Sequence, residues 1–308
     1  MPARPACSAF ASLVLLASLL SAQDQATAVP SIDPAGLPGT RILGGGGKLP
    51  GGVYERFLEL AGGSKGKIVL IPTASALCDT PEQQQAILQR WQDDHPGHAF
   101  TILHTRDRAV ADREDFTAPL REATGVWLGG GAQKRIADAY LGTRVERELQ
   151  ALLARGGVVG GTSAGTAIQT RTMIQEGKEP PIVATGFDFV PGAISDQHFL
   201  KRARLPRLLA VLAGHPGHFG IGVDEGTAVE IRGRELRVHG VSKVLLVHAA
   251  AAGRPERIAE LVAGESADLV TWQRAARDRR APPWPPAPMA APRVPNGALV
   301  IVGGGRIP

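Results

Sequence analysis

Short apolar runs alternate with amphipathic helix patterns through the first half of the chain. The run Lys67–Pro72 (KIVLIP) is apolar almost throughout, as expected for a strand buried on both faces, and Gly125–Leu128 (GVWL) repeats the pattern. Between them, Thr80-Pro81-Glu82-Gln83 has the form of a capping box and predicts a helix that runs to about Asp93. Alternation of this kind predicts an α/β fold, a three-layer sandwich with a mostly parallel sheet and helices on both faces.

Other segments of the first half follow the same two patterns. We predict strands over Arg41–Leu43, Ala99–His104 and Gly157–Val159, a helix over Val53–Ala61 and another from a second capping box at Thr143–Glu146. In the second half, short segments separated by glycine turns predict antiparallel strands that extend the sheet, and the stretch 249–275 reads as helical at best. These strands are Phe219–Val223, Thr227–Ile231, Glu235–His239 and Lys243–Val247.

The two ends of the chain differ from this core. Residues 1–22 have the basic start, apolar run and small-residue cleavage site of a secretory signal, which predicts a secreted or periplasmic protein; an uncleaved anchor is the alternative. A flexible lead (23–40) then precedes the folded domain (41–275), and a proline-rich linker (276–296) follows it. The strand-like tail, 297–308, echoes Arg41–Pro50 and suggests the start of a truncated second domain, although a lone strand would look alike.

Composition narrows the function classes. Cys7 falls in the signal, so Cys78 is the one cysteine left and no intramolecular disulfide can form. The net charge of +5 comes from scattered basic residues, which does not favour nucleic-acid binding. The sequence shows no metal cluster, and Gly44–Gly47 lacks the spacing of a dinucleotide-binding loop, so we expect no metal and no cofactor. We expect no membrane contact after the signal is cleaved. A homodimer is possible, because the sequence does not specify the oligomeric state.

A serine lies in the segment Gly156–Gly165 (GGVVGGTSAG), whose end has the G-x-S-x-G form of a nucleophile elbow. In such an elbow a strand turns sharply into a helix and holds the serine, here Ser163, in a strained conformation with its hydroxyl exposed. The backbone N–H of Ala164, at the helix start, can then stabilise an oxyanion. A purely structural strand-to-helix turn is the alternative.

A serine nucleophile needs a base and an acid that orients it. Among the eight histidines, His198 follows a strand-like approach and lies among polar groups, so we predict that it is the base. Glu176, Glu179 and Asp188 are candidate acids between serine and histidine, and Glu179 in an exposed turn is our choice. Next to the histidine, three arginines do not share one helix face, which favours a carboxylate clamp over a basic helix surface. They are Arg202, Arg204 and Arg207.

These segments together resemble the cyanophycinase / dipeptidase E family of serine peptidases. The similarity runs from about Arg41 to Val247 and is carried by GGGGKLP, KIVLIPTAS, LGGGAQKRI, GGTSAG, PGAISDQHFLKRARLPRLL and GIGVDEGTA. It implies a class I glutamine amidotransferase-like, flavodoxin-like fold, with Ser163 as nucleophile and His198 as base. It also implies oxyanion N–H groups from Gly131 and Ala164. The implied substrate-contacting residues are Gln133, Asp196, Gln197, Arg202, Arg204 and Arg207.

Two departures from the family pattern bear on these assignments. The loop between serine and histidine is shortened, so the triad acid aligns on either Glu179 or Glu176. The family's polar turn reads Gly130-Gly131-Ala132-Gln133, which removes one polar side chain near the site.

The resemblance implies a secreted exopeptidase that hydrolyses cyanophycin, an aspartate backbone bearing arginine side chains, to β-aspartyl-arginine dipeptides. Two alternatives are an aspartyl-dipeptidase-like hydrolase of small acidic peptides and a catalytically silent, exported binding module. An α/β-hydrolase esterase fits less well, because its acid and histidine usually lie much further along the chain from the serine.

Overall fold

The computed structural model describes residues 33–281. The predicted signal at 1–22, the start of the predicted lead, most of the predicted linker and the tail at 297–308 lie outside the described residues. Within the described part, no helix is long and apolar enough to cross a bilayer. The strands are β1 (Leu37–Gly44), β2 (Lys67–Ile71), β3 (Ala99–Ile102), β4 (Gly125–Leu128), β5 (Val158–Thr162), β6 (Thr172–Glu176), β7 (Ile182–Thr185), β8 (Ala193–Gln197), β9 (Phe219–Val223), β10 (Thr227–Gly233), β11 (Glu235–Gly240), β12 (Lys243–His248), β13 (Arg257–Val262) and β14 (Ser266–Asp268).

The helices fall mainly between the strands of the first half, as the alternating pattern predicts. Thr80 caps α2 with the predicted box, since its side chain accepts from the N–H of Gln83, whose side chain in turn binds the Thr80 N–H. The helices are α1 (Gly51–Leu60), α2 (Pro81–Asp94), α3 (Arg108–Ala111), α4 (Glu114–Glu122), α5 (Gln133–Tyr140), α6 (Arg144–Ala154), α7 (Ala164–Ala167), α8 (Leu205–Ala213) and α9 (Leu269–Asp278), with a 3-10 turn at Gly63–Lys65.

The main sheet has eight strands in the order β14-β11-β10-β1-β5-β4-β2-β3. The five strands from β1 to β3 in this order run parallel, while β10, β11 and β14 add antiparallel strands at the β1 side. The predicted α/β fold with a mostly parallel sheet is therefore confirmed. Ligands in such sheets bind beyond the carboxyl ends of the strands, which is where the glycine-rich turns after β1, β4 and β5 lie.

Side chains on the two faces of the parallel strands enter two different cores. Along β2, Val69 and Ile71 pack with the core under α4, α5 and α6, while Ile68 and Leu70 pack with the core under α1. Trp127 of β4 joins the α1 core. Helices therefore cover both faces, which explains why these strands read as continuous apolar runs rather than as alternating ones.

A second sheet carries the remaining strands of the C-terminal half, in the order β13-β12-β9-β8. Its strands β8 and β9 are parallel, with Gln197 opposite Val223, so both carboxyl ends lie on the same side. Helix α8 packs on one face of this sheet, and a core that includes Trp272 of α9 fills the other. A two-stranded hairpin, β6-β7, completes the described part.

Several predicted boundaries differ from the structure. Strand β1 begins at Leu37, inside the predicted lead, and α9 extends to Asp278, inside the predicted linker. The stretch predicted as helical at 249–275 contains β13 and β14 before α9 begins. The four predicted antiparallel strands divide between the two sheets: β10 and β11 extend the main sheet, whereas β9 and β12 belong to the second.

The second capping box is also not formed. The Thr143 hydroxyl donates to the carbonyl of Tyr140, and Glu146 accepts from the N–H of Gly142. Thr143 is buried, so its hydroxyl serves the preceding turn instead of the first turn of α6.

Candidate active site

Ser163 occupies the sharp turn between β5 and α7. Its backbone has φ 52° and ψ −108°, a left-handed conformation that is rare for a residue other than glycine. The Ser163 N–H donates to the carbonyl of Gly44 at 3.0 Å, which attaches the turn to the end of the neighbouring strand β1. The half-buried serine is thereby presented at the carboxyl edge of the parallel sheet, as an elbow requires.

His198 follows β8 directly and reaches the serine from the second sheet. Its Nε2 lies 2.8 Å from Ser163 Oγ, and its backbone N–H donates to the carbonyl of Gly45 at 2.7 Å. The structure therefore brings together the predicted nucleophile and the predicted base. Burial lowers the pKa of His198; the hydrogen bond that the ring donates to Glu225 partly offsets this shift, and the charge of Arg202 reinforces it. The ring is therefore neutral at neutral pH and able to accept a proton.

Glu225, not Glu179, holds the other nitrogen of the imidazole. Its Oε1 lies 2.7 Å from His198 Nδ1. The reason is the parallel pairing of β8 with β9: their carboxyl ends are adjacent, so the residues that follow them meet. Glu179 lies on the exposed turn of the β6-β7 hairpin, and the alternative Glu176 is exposed at the end of β6. The residue that contacts the imidazole therefore follows both serine and histidine in the chain, whereas the predicted acids precede the histidine.

Two backbone N–H groups are available beside the serine. Ala164 is the first residue of α7, so its N–H has no intrahelical acceptor. On the other side, the glycine turn after β4 passes close to the serine, since a Cβ at Gly130 would lie 3.6 Å from the Ser163 Cβ. Gly131 has φ +139°, and a Cβ there would lie 2.2 Å from the Ala74 carbonyl oxygen, so only glycine fits this backbone. The turn that contains Gly131 thus passes beside the serine, and the oxyanion role of its N–H stays a prediction.

The predicted substrate clamp is largely an internal ion-pair network. Asp196 is fully buried, and Arg207 holds it through two hydrogen bonds, Nε to Oδ2 at 2.7 Å and Nη2 to Oδ1 at 2.5 Å. Arg207 also donates to the carbonyl of Gly177 at 2.8 Å, which ties the hairpin turn to the second sheet. Arg204 donates to the carbonyl of Gln197 at 2.6 Å and, at 3.3 Å, to Asp196. Asp196 and Arg207 are therefore paired with each other inside the protein, and their contact with substrate stays a prediction.

Gln133 is likewise engaged within the protein. Its side-chain amide donates to the carbonyls of Ile174 and Gln175, so it fixes the start of α5 against β6. Of the remaining predicted contact residues, Arg202 is exposed and its charge acts on His198. Gln197 is buried beside His198, and its Oε1 has no hydrogen-bond partner among the described residues. Arg202, Gln197 and the half-buried Arg204, whose contacts within the described residues use only Nη1, are thus predicted contacts with polar atoms left for a ligand.

One cluster of the described residues has side chains of the types that bind metal ions. Cys78, Asp79 and His104 offer ligand atoms within 4.8 Å of one another. Arg106 donates to Asp79 at 2.8 Å and places a positive charge in the same cluster, which disfavours a cation. Burial raises the pKa of the Cys78 thiol, so it lacks the thiolate form that a metal would bind.

Comparison with known proteins places this site in a family. The model of peptidase family S51 matches residues 42–239, a range that includes Ser163, His198 and Glu225. A cyanophycinase from Synechococcus elongatus is 34% identical over 204 residues, which are 63% of this chain and 62% of that protein. A cyanophycinase from Trichormus variabilis is 35% identical over 209 residues, 63% of this chain and 67% of that protein. The chain therefore spans less than two thirds of the Synechococcus relative.

One solved structure supports the fold. A peptidase from an acI-B1 Actinobacterium is 23% identical, covers 76% of this chain and 98% of its own, and superposes with a TM-score of 0.61. The shared fold agrees with the mostly parallel α/β architecture described above.

The buried pair of Asp196 and Arg207 yields a prediction about stability. Arg207→Lys should lower the free energy of unfolding by about 3 kcal/mol, because a single ammonium cannot replace two hydrogen bonds to a buried carboxylate. Arg202→Lys is the matched control: this arginine is exposed, so the change should stay within about 0.5 kcal/mol. Urea unfolding followed by circular dichroism measures both. Equal stability of the two variants would contradict a structural role for Arg207.

Proposed function

Because the chain belongs to peptidase family S51, we propose that it is a serine peptidase that hydrolyses cyanophycin to β-aspartyl-arginine dipeptides. The observation that carries the proposal is the hydrogen-bonded series of Ser163, His198 and Glu225, with distances of 2.8 and 2.7 Å. Support for the substrate comes from the cyanophycinase relatives. We also propose that the protein is exported, on the signal-like pattern of residues 1–22.

In this proposal the three side chains act as a triad. Ser163 Oγ attacks the backbone carbonyl between two aspartates while His198 Nε2 accepts its proton, and the same ring then gives the proton to the leaving amine. Glu225 accepts from Nδ1–H, which sets the tautomer that leaves Nε2 free and stabilises the imidazolium that forms. In the second half of the reaction, His198 accepts a proton from water, which attacks the acyl-enzyme. The ring then returns the proton to Ser163 Oγ, so the serine is regenerated.

The surroundings of the serine suit this reaction. The N–H groups of Ala164 and Gly131 stabilise the oxyanion on either side of the attacked carbon. Arg202, exposed beside the histidine, attracts the carboxylate of an aspartyl residue, and the unpaired Gln197 Oε1 accepts a hydrogen bond from a backbone or amino N–H of the substrate. An aspartyl-dipeptidase-like hydrolase would use the same three side chains, so the substrate must be decided by assay.

Replacement of the nucleophile tests the proposal directly. Ser163→Ala should lower the release of β-aspartyl-arginine from insoluble cyanophycin by roughly 10⁴-fold or more, because triad members act as a unit. Ser266→Ala, an exposed serine of β14, is the matched control and should keep wild-type activity. The readout is the dipeptide in the supernatant, measured by mass spectrometry. Dipeptide release by Ser163→Ala at the wild-type rate would overturn the mechanism, and wild-type cleavage of small acidic peptides alone would favour the dipeptidase.

The identity of the acid gives a second prediction. Glu225→Gln should lower kcat by about 10⁴-fold, because an amide favours the wrong tautomer of His198. Glu179→Gln should change kcat less than twofold, since this side chain is exposed on the hairpin turn. A larger loss of kcat in Glu179→Gln than in Glu225→Gln would instead assign the role of the acid to Glu179.

The pH profile of the same variants supplies an independent readout. Burial lowers the pKa of His198, so kcat/KM of the wild type should fall only as the pH drops below about 6.5. The Glu225 carboxylate raises this pKa, so its removal should move the acid limb further down. An acid limb that moves upward in Glu225→Gln would contradict the assignment.

A further inference from the structure

A cavity of about 760 Å³ opens beside the nucleophile, between α1, α2 and the carboxyl ends of the parallel strands. Thr162, which precedes the nucleophile, lines it together with Gly129 and Gly47. A Cβ at Gly47 would lie 3.0 Å from Glu225 Oε2, so this part of the wall directly adjoins the proposed triad. A substrate bound at Ser163 can therefore extend a side chain into the cavity.

Three aromatic rings form one side of the cavity. Tyr54 of α1 packs against Trp91 of α2 at a centroid distance of 5.4 Å and against Trp127 of β4 at 5.1 Å. Trp127 is buried below them, whereas Tyr54 and Trp91 are half-exposed. Burial raises the pKa of Tyr54, so its ring stays neutral over the whole working range of pH. Half-exposed tryptophan and tyrosine faces attract an organic cation, most often a guanidinium.

The mouth of the cavity carries charges of both signs. Glu55 and Asp94 are exposed carboxylates on α1 and α2. Arg90 approaches Asp94 at 3.6 Å, a long contact between two exposed side chains that contributes little stability and leaves the carboxylate able to bind another guanidinium. Lys48 also lines the cavity, and burial lowers the pKa of His95, so that ring is neutral at neutral pH. Both carboxylates therefore line the same cavity as the aromatic rings, and within residues 33–281 neither has an ion pair shorter than the contact with Arg90.

We infer that this cavity binds the arginine side chain of the substrate residue next to the bond that Ser163 attacks. The inference rests on the proposed function, since it assigns one part of the cyanophycin repeat to one part of the site. The apolar stem of the side chain packs on Tyr54 and Trp91, and its guanidinium binds Asp94 and Glu55. The aspartyl carboxylates lie toward Arg202 instead, so the two halves of each repeat are bound by groups of opposite charge.

Binding to the inactive protein tests the inference apart from turnover. Ser163→Ala should bind a β-aspartyl-arginine oligomer at least 10-fold more tightly than the matched oligomer in which citrulline, neutral and of the same shape, replaces arginine. Trp91→Leu and Asp94→Asn, each added to Ser163→Ala, should reduce that ratio toward one. Asp93→Asn is the matched control, because Asp93 is an exposed carboxylate one residue away on α2 that does not line the cavity. Isothermal titration calorimetry measures each dissociation constant.

Kinetics on the active protein give the second arm. Asp94→Asn should raise KM for the arginine oligomer about 10-fold with kcat nearly unchanged, since a lost contact that is equal in ground and transition states affects KM alone. Equal binding of the arginine and citrulline oligomers, or the same loss in Asp93→Asn as in Asp94→Asn, would overturn the inference even if wild type digests cyanophycin. Preferential arginine binding through Trp91 and Asp94 without any hydrolysis would uphold the cavity assignment and reject the proposed function.

Discussion

The left-handed backbone of Ser163 is the constraint on which the rest of the site depends. A residue other than glycine in such a conformation costs about 1–3 kcal/mol, so the surroundings must hold it. The Thr166 hydroxyl donates to the carbonyls of Gly44 and Gly161, at 2.7 and 3.0 Å, and so attaches the first turn of α7 to β1 and β5. A Cβ at Gly161 would lie 2.4 Å from the Gly165 carbonyl oxygen, so the glycines of the motif are required by close approach of backbone to backbone.

The glycine run after β1 joins the two sheets at the site. Gly44 accepts from the N–H of Ser163 on the main sheet, and Gly45 accepts from the N–H of His198 on the second. A Cβ at Gly46 would lie 2.3 Å from the Cε1 of His198, so the imidazole rests directly on bare backbone. Any side chain here would push the ring away from the serine. The glycine run Gly44–Gly47, whose spacing does not match a dinucleotide-binding loop, therefore packs against the imidazole of the proposed base, His198.

Local sequence patterns predicted the strands, the serine and the histidine of this arrangement. They could not predict contacts that depend on which strands pair in the fold. The apolar runs predicted the buried parallel strands, and the residue types around Ser163 and His198 predicted which side chains meet. Glu225 was missed because we looked for the acid between serine and histidine, whereas the pairing of β8 with β9 places it after both. The available signal was the acidic pair before Gly226, directly after the apolar segment GIGV. The ion pair of Arg207 with Asp196 could not be predicted, because sequence spacing does not show that Asp196 is buried.

The orientation of His198 by Glu225 can be measured without substrate. A proton shared between His198 Nδ1 and a carboxylate at 2.7 Å should give a separate, far-downfield resonance in the proton NMR spectrum of the resting protein. We expect this resonance in wild type and in Glu179→Gln, and we expect its loss in both His198→Ala and Glu225→Gln. A resonance that survives Glu225→Gln and disappears in Glu179→Gln would show that Glu179, not Glu225, orients His198.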